Sequence, residues 1–392
     1  MTSISRIDVF TAELPFRISF GHALATRKSS TNVYVRVTLD DGSWGFGEGV
    51  PRDYVTGETV DTAITTLTDR LVPAVLGRGV QDARDVPEFL EEAARIASPC
   101  VAPDGAAWCA LELAVLDAFG HSFGCSVSDW LGAAPAPRVR YDAIIPFVSP
   151  KLLTVIGTLV RGLGFRQVKV KVGHDLAADA HGLRTLRRIL GAGTDLRVDA
   201  NCAWSPDQAL TAIERFKPFG ISSVEQPVAA DDLVGLRRIT AATSESIIVD
   251  ESLRSVADAV RLAETGACNA FNIRVSKCGG LLNSARIAAI ASQAGLGCVV
   301  GAQVGESGIL SAAGRHLAAS LPSLRYLEGS AGRLLLKEDL TMENVLPGWG
   351  GWARPYRGPG LGVRVQQAVL GRYGHLRRVF EAPRVSRARA FA

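Results

Sequence analysis

From residue 4 to 9, and again from 32 to 39, apolar and polar side chains alternate one for one, the period of a half-buried β-strand. A turn at Asp40-Asp41-Gly42 leads into a third such stretch, 43–48. Phe16-Arg17-Ile18-Ser19-Phe20-Gly21-His22-Ala23-Leu24-Ala25 reads as part of a loop of about 15 residues between the first two strands, and loops that long are usually functional or disordered. From 58 to 132 the pattern is helical. Residues 106–123 are the strongest case, apolar nearly all round with Glu112 and Asp117 as their only acidic residues. An α+β unit is therefore expected over residues 1–130.

The texture changes near Pro135-Ala136-Pro137. Short apolar strands then recur at 141–148, 167–172, 196–199, 223–225, 247–250, 270–275, 297–302 and 325–327, with amphipathic helices between them, as at 152–163, 178–190 and 206–216. Strands alternating with helices predict parallel βαβ units, and eight of them predict a closed α/β barrel over 131–344. After the eighth strand a Gly/Pro-rich stretch, 347–362, takes the place of a helix. Residues 345–392 are expected to return to the N-terminal unit, ending in a solvated tail with Arg384, Arg387 and Arg389.

Composition narrows the class without naming a chemistry. At 47% hydrophobic and 21% charged, the 392 residues exclude a disordered, collagen-like or coiled-coil chain. A net charge of +4 gives no electrostatic case for nucleic acid or a membrane. No uncharged apolar run approaches about 18 residues, and the first ten residues lack a signal-like apolar segment. Seven scattered cysteines without a C-x-x-C pair speak against disulfides or a thiolate zinc site. A soluble, cytoplasmic protein is the expectation from composition, and any function has to come from the pattern.

In such barrels chemistry sits at the C-terminal ends of the strands. Strand two ends Lys169-Val170-Lys171, with both lysines on the face opposite the valines. The next three end in Asp199, Glu225 and Asp250, and the sixth runs into Lys277, each step about 25–28 residues, or one βα unit. Alone, an Asp after a strand is most often a helix cap, and a lone rim lysine is usually solvated. Together they read as a site. Three carboxylates delivered to one height, with no cation between them, would repel unless a cation joined them, and all-oxygen ligation suits Mg²⁺ or Mn²⁺. A substrate carboxylate bound there would lose its α-proton to give a metal-stabilised enediolate. Lys171 and Lys277, on opposite faces, would remove the proton and return it. Lys169 would hold a substrate oxygen or depress its neighbour's pKa, and Glu251 would orient Lys277.

Lys169-x-Lys171, Asp199-Ala200-Asn201, Glu225-Gln226-Pro227, Asp250-Glu251-Ser252 and Lys277-Cys278-Gly279-Gly280 resemble the enolase superfamily, specifically its muconate lactonizing enzyme subgroup. Gly47-Glu48, Thr56-Gly57-Glu58-Thr59 and Pro359-Gly360-Leu361-Gly362 extend the resemblance over nearly the whole chain. It implies a capping domain over a (β/α)7β barrel, one Mg²⁺ on Asp199, Glu225 and Asp250, and acid/base lysines at 171 and 277. It also implies a 16–26 loop closing over the substrate and a homo-oligomer, from dimer to octamer. Dipeptide epimerases of the subgroup usually carry an Asp-x-Asp motif to hold a substrate ammonium; the stretch Gln303-Val304-Gly305-Glu306-Ser307-Gly308 lacks it. Glu306 would hold that ammonium alone, polarise Lys277 or a leaving group, or simply start a helix. Phe16, Arg17, Phe20 and His22 suit a substrate with an apolar part and a second anionic group. Epimerisation or racemisation of an amino-acid derivative or dipeptide is the first expectation. A cycloisomerase or syn-dehydratase using the same intermediate is the second, and a barrel retired to a scaffold the third.

Overall fold

The computed structural model describes residues 1–22, 25–98, 105–132 and 135–383, with backbone alone for 18–22 and 25–27. The tail with Arg384, Arg387 and Arg389 lies outside the described residues. The N-terminal sheet contains β1 (Thr2–His22), β2 (Ala25–Leu39) and β3 (Trp44–Gly49), and its outer strand is the C-terminal β12 (Gly374–Glu381), in the order β12-β1-β2-β3. Of the loop expected at 16–25, residues 23 and 24 lie outside the described residues, and the rest belongs to β1 and β2: Phe20 pairs with Arg27, Gly21 with Thr26 and His22 with Ala25. The residues explain it. Leu14, Phe16, Ile18 and Phe20 alternate with Glu13, Pro15, Arg17 and Ser19, so the strand pattern never stops. The register slips near the start, between Ile4 and Arg6, and again after Pro15, which has no N–H to give the ladder. Phe20 and His22 thus lie on β1, and their side chains are outside what is described.

Helix α1 (Gly105–Phe123) is buried on all sides from Ala106 to Gly120, which accounts for its lack of a polar face. It lies against β3, where Gly45, Gly47 and Gly49 let the backbones touch: a Cβ on Gly47 would fall 2.0 Å from the Ala110 carbonyl oxygen. The two acidic residues of α1 bind backbone. Asp117 accepts from Phe46 N at 2.9 Å and Leu361 N at 2.8 Å, and Glu112 accepts from Leu282 N at 3.2 Å.

The eight-stranded sheet is parallel throughout and runs in chain order: β4 (Ala143–Ile145), β5 (Gln167–Lys171), β6 (Asp195–Asp199), β7 (Ile221–Glu225), β8 (Ser246–Val249), β9 (Ala270–Arg274), β10 (Gly297–Gly301) and β11 (Leu324–Leu327). The Asp142 amide donates to Leu327 O at 2.8 Å, joining the first strand to the last. Between the strands run α2 (Pro150–Gly162), α3 (Leu176–Leu190), α4 (Pro206–Phe216), α5 (Leu233–Ala242), α6 (Val256–Thr265), α7 (Gly280–Gln293) and α8 (Gly308–Ser320). The fold is a (β/α)7β barrel with a capping sheet. β4 is shorter than the expected 141–148 because Pro146 ends it. The 347–362 stretch runs back along the N-terminal unit, where Gly360 N donates to Cys125 O at 2.9 Å. Among the described residues no helix is long and apolar enough to cross a membrane.

The contact between β3 and α1 predicts a contrast. Gly47→Ala overpacks a fixed backbone contact and lowers stability by about 1–3 kcal/mol. Gly371→Ala, at an exposed position of the short helix Gln367–Tyr373 with nothing within 4 Å of the new methyl, is neutral or stabilising by about 0.5–1 kcal/mol. Urea unfolding of the two variants reads the difference.

Candidate active site

The C-terminal ends of β5, β6 and β7 are level: Lys171 pairs with Asp199 and Asp199 with Glu225. Glu225 is in turn level with Ile248, so Asp250 stands two residues further out than the common height expected for it. Period two brings Lys169, Lys171, Arg197 and Asp199 to the inner face, while Val168, Val170 and Val198 pack outward into the core.

The three carboxylates are fully buried, and each is met by cations. Lys171 Nζ lies 2.6 Å from Asp199 Oδ2 and 2.5 Å from Asn201 Oδ1. Lys169 Nζ lies 3.0 Å from Glu225 Oε1, 2.6 Å from the Glu328 carboxylate and 3.4 Å from Asp199. Arg197 spans Glu225 at 3.0 Å and Asp142 at 2.7 Å and also pairs with Glu328. Arg274 pairs with Asp250 Oδ2, and Lys277 Nζ donates to Asp250 Oδ1 at 2.6 Å and to the Asp250 carbonyl at 2.5 Å. Asn272 Nδ2 donates to Glu225 Oε1 at 2.9 Å.

This corrects the expectation of three carboxylates with no cation between them. Among the described residues no three His, Cys, Asp or Glu gather as a metal-holding group, and each of the three carboxylates meets a lysine or arginine from a neighbouring strand or turn. Lys169 is 2% exposed and tied to the three carboxylates Asp199, Glu225 and Glu328. One pairing also differs from expectation, that of Glu251 with Lys277. Glu251 accepts from Asn201 Nδ2 at 2.9 Å, whereas Lys277 is oriented by Asp250 and by the Asn272 carbonyl at 3.2 Å.

Burial pushes the Glu225 carboxyl up to about 8; Lys169 opposes this, and Asp199 and Glu328 add to it. Burial acts the same way on Asp199, but Lys171 and Lys169 outweigh it and hold that carboxyl well below its usual range. Glu328 is likewise drawn down to about 2 by Lys169 and Arg197 against its burial. Burial favours a neutral Lys169, yet Glu225, Glu328 and Asp199 keep the ammonium protonated to high pH.

The seventh strand end is shared with the capping unit. Gln303 N donates to Glu306 Oε1 at 2.6 Å, and Gln303 Nε2 donates to Val50 O at 3.1 Å. Glu48, from β3, accepts from Ser307 N, Ser307 Oγ and Leu310 N, and so caps α8 from outside the barrel. Val50 N donates to Ser276 Oγ at 2.8 Å, next to Lys277. Sequence reasoning misses Arg197, Arg274 and Glu328, and finds Glu48 only as part of the capping motif. Arg197 lies two residues before Asp199, and Glu328 directly follows the eighth strand, so both signals were present.

Burial raises the Glu306 carboxyl from 4.5 to about 8, and nearby Glu48 adds to this. A carboxyl that holds its proton more tightly folded than unfolded stabilises below pH 4.5 and loses that contribution as pH climbs through about 8. The thermal midpoint of the metal-free protein is therefore expected to fall across that window, and Glu306→Gln to flatten the slope in a calorimetric pH series.

Two family models match: "Mandelate racemase / muconate lactonizing enzyme, N-terminal domain" over residues 2–132 and "Enolase C-terminal domain-like" over 154–369. The L-Ala-D/L-Glu epimerase of Bacillus subtilis is 30% identical, covering 92% of this chain and 96% of its own. Muconate cycloisomerase 1 of Rhodococcus opacus is also 30% identical, covering 94% and 98%. The dipeptide epimerase of Enterococcus faecalis, in its crystal structure with Mg and the dipeptide L-Leu-L-Tyr, superposes with a TM-score of 0.82 at 27% identity, covering 92% and 99%. With both halves of the fold matched and the strand ends bearing the residues just described, the chain is an isomerase of the enolase superfamily and belongs to its muconate lactonizing enzyme subgroup.

Proposed function

We propose that the chain removes the proton α to a substrate carboxylate and returns it to the opposite face, epimerising or racemising an amino-acid derivative or dipeptide with the help of Mg²⁺ or Mn²⁺. One observation carries the reading. Lys171 is held on Asp199 and Lys277 on Asp250, the two ends of the acidic arc, from strand positions four apart in an eight-stranded barrel and therefore across its mouth from each other.

The donors fit a hard divalent cation. Asp199, Glu225 and Asp250 are all-oxygen ligands on consecutive strand ends, and Glu251 beside them keeps a buried Oε2 without a hydrogen-bond partner. These three would hold the cation, which when bound would supply positive charge against the substrate carboxylate as the α-carbon loses its proton. Lys171 and Lys277 do the proton work. The neutral Nζ of one takes the proton from its face, and the ammonium of the other delivers a proton from across the mouth; the roles exchange for the other enantiomer. Asn201, Asp250 and the Asn272 carbonyl fix where the two nitrogens point. Lys169, Arg197 and Arg274 offset the remaining negative charge. The described cysteines are all unpaired, which supports a reducing compartment such as the cytoplasm.

The likeness to a muconate cycloisomerase supports a second reading, in which one lysine suffices and the product is a lactone or an alkene. Deuterium separates the two. In D₂O an epimerase exchanges the α-hydrogen of either enantiomer, and a panel of dipeptides and N-acyl amino acids showing no exchange sinks the first reading. Lys277→Ala is expected to cut exchange from one enantiomer by about 10²–10⁴-fold and to spare the other; equal loss from both refutes the two-face arrangement. Chelation with EDTA is expected to abolish turnover, and Mg²⁺ or Mn²⁺ to restore it.

A further inference from the structure

Directly after Glu225 the chain does something a glutamine rarely does: Gln226 takes a left-handed backbone, φ 36°, with no glycine to ease it. Such a conformation persists only where the surroundings over-determine it. Here they do. The side chain is fully buried, and its amide spends every donor and acceptor it has. Oε1 accepts from Asp250 N at 2.9 Å and from Ser252 N at 3.2 Å. Nε2 donates to Val228 O at 3.0 Å and to Ser252 Oγ at 2.8 Å. The backbone joins in, with Gln226 N donating to Ile248 O at 2.8 Å and Gln226 O accepting from Cys202 N at 2.9 Å. One residue therefore laces the end of β7 to the ends of β6 and β8, between the turns that carry Asp199, Glu225 and Asp250.

We propose that Gln226 is a positioning residue: its amide strap fixes the spacing of the Glu225 and Asp250 carboxylates and so sets the affinity of the divalent cation they share. The proposal rests on the metal reading above, and it adds a residue that touches neither substrate nor metal. No common side chain replaces the strap. A glutamate lacks the two donors and would face the Val228 carbonyl with negative charge, and a methionine fills the space without any of the four bonds. Glycine relieves the backbone but deletes the strap, which separates the two roles.

The test is Mn²⁺ binding to the full-length protein, followed by electron paramagnetic resonance titration, beside its thermal midpoint without metal. Gln226→Met and Gln226→Gly are expected to weaken Mn²⁺ about 10–100-fold, the usual effect of removing a support behind a ligand, while the metal-free protein stays folded. Weakening in Gln226→Gly assigns the effect to the side chain and not to backbone strain. Folded variants that bind Mn²⁺ like wild type overturn the proposal. Where both fold poorly, Ser252→Ala removes one partner of the same amide: weaker Mn²⁺ binding upholds the strap, and unchanged binding refutes it. Wild-type protein that binds no Mn²⁺ would instead overturn the metal reading itself.

Discussion

A lattice of buried opposite charges fills the barrel, and the rest of the mouth is arranged on top of it. Arg197 lies at its centre, joined to Asp142 just before the first strand, Glu225 at the end of the fourth and Glu328 after the eighth. Lys169 then ties Glu225 and Glu328 to Asp199. Ion pairs this deep gain little net stability, because desolvation cancels most of the attraction, but removing one partner strands a charge at a cost of about 3–5 kcal/mol. The lattice thus acts mainly as a constraint. It holds strand ends from opposite sides of the barrel in one register and leaves the carboxylates of the mouth no alternative partners inside the wall.

The capping unit is fastened to the parts of the barrel nearest the chemistry. Glu48 caps α8, Val50 binds Ser276 on one side and Gln303 on the other, and Glu112 of α1 accepts from the first turn of α7, just after Lys277. Gly105, at the start of α1, lies so close to the Lys277 carbonyl oxygen that a Cβ would come within 2.5 Å of it. The backbone bearing one of the two lysines is therefore shaped by a helix belonging to the other half of the fold. A lysine at the tip of a mobile turn would lose that geometry; this one is braced from behind.

Strand-end reading recovers most of this from sequence because period-two faces and βα spacing are local properties. Lys171, Asp199, Glu225, Asp250 and Lys277 could be placed by counting alone. The failures have a common cause. Whether Arg197 neutralises Glu225, or Glu251 turns to Asn201 instead of Lys277, depends on which side chains meet across the barrel, and sequence spacing carries no distances across a barrel. Glu328 escaped only because strand ends were read as far as the seventh. The segment around residues 16–22 differs in secondary structure alone. Its length points to a loop, although the alternation of Leu14, Phe16, Ile18 and Phe20 with polar residues and Pro15 is that of a strand.

The pairing of β12 with β1 joins residues from the two ends of the chain, and Arg6 meets Glu381 at 2.9 Å. A contact 375 residues apart in sequence closes late, since the entropy of so long a loop must be overcome first. During synthesis, at about 5–20 residues per second, β1 waits on the order of a minute with one edge bare, while the barrel strands emerge in the order in which they pair. Until then β1 shows an open ladder to any neighbour. A nascent chain of this fold is therefore most exposed to wrong edge pairing at its very first strand, well away from the residues that do the chemistry.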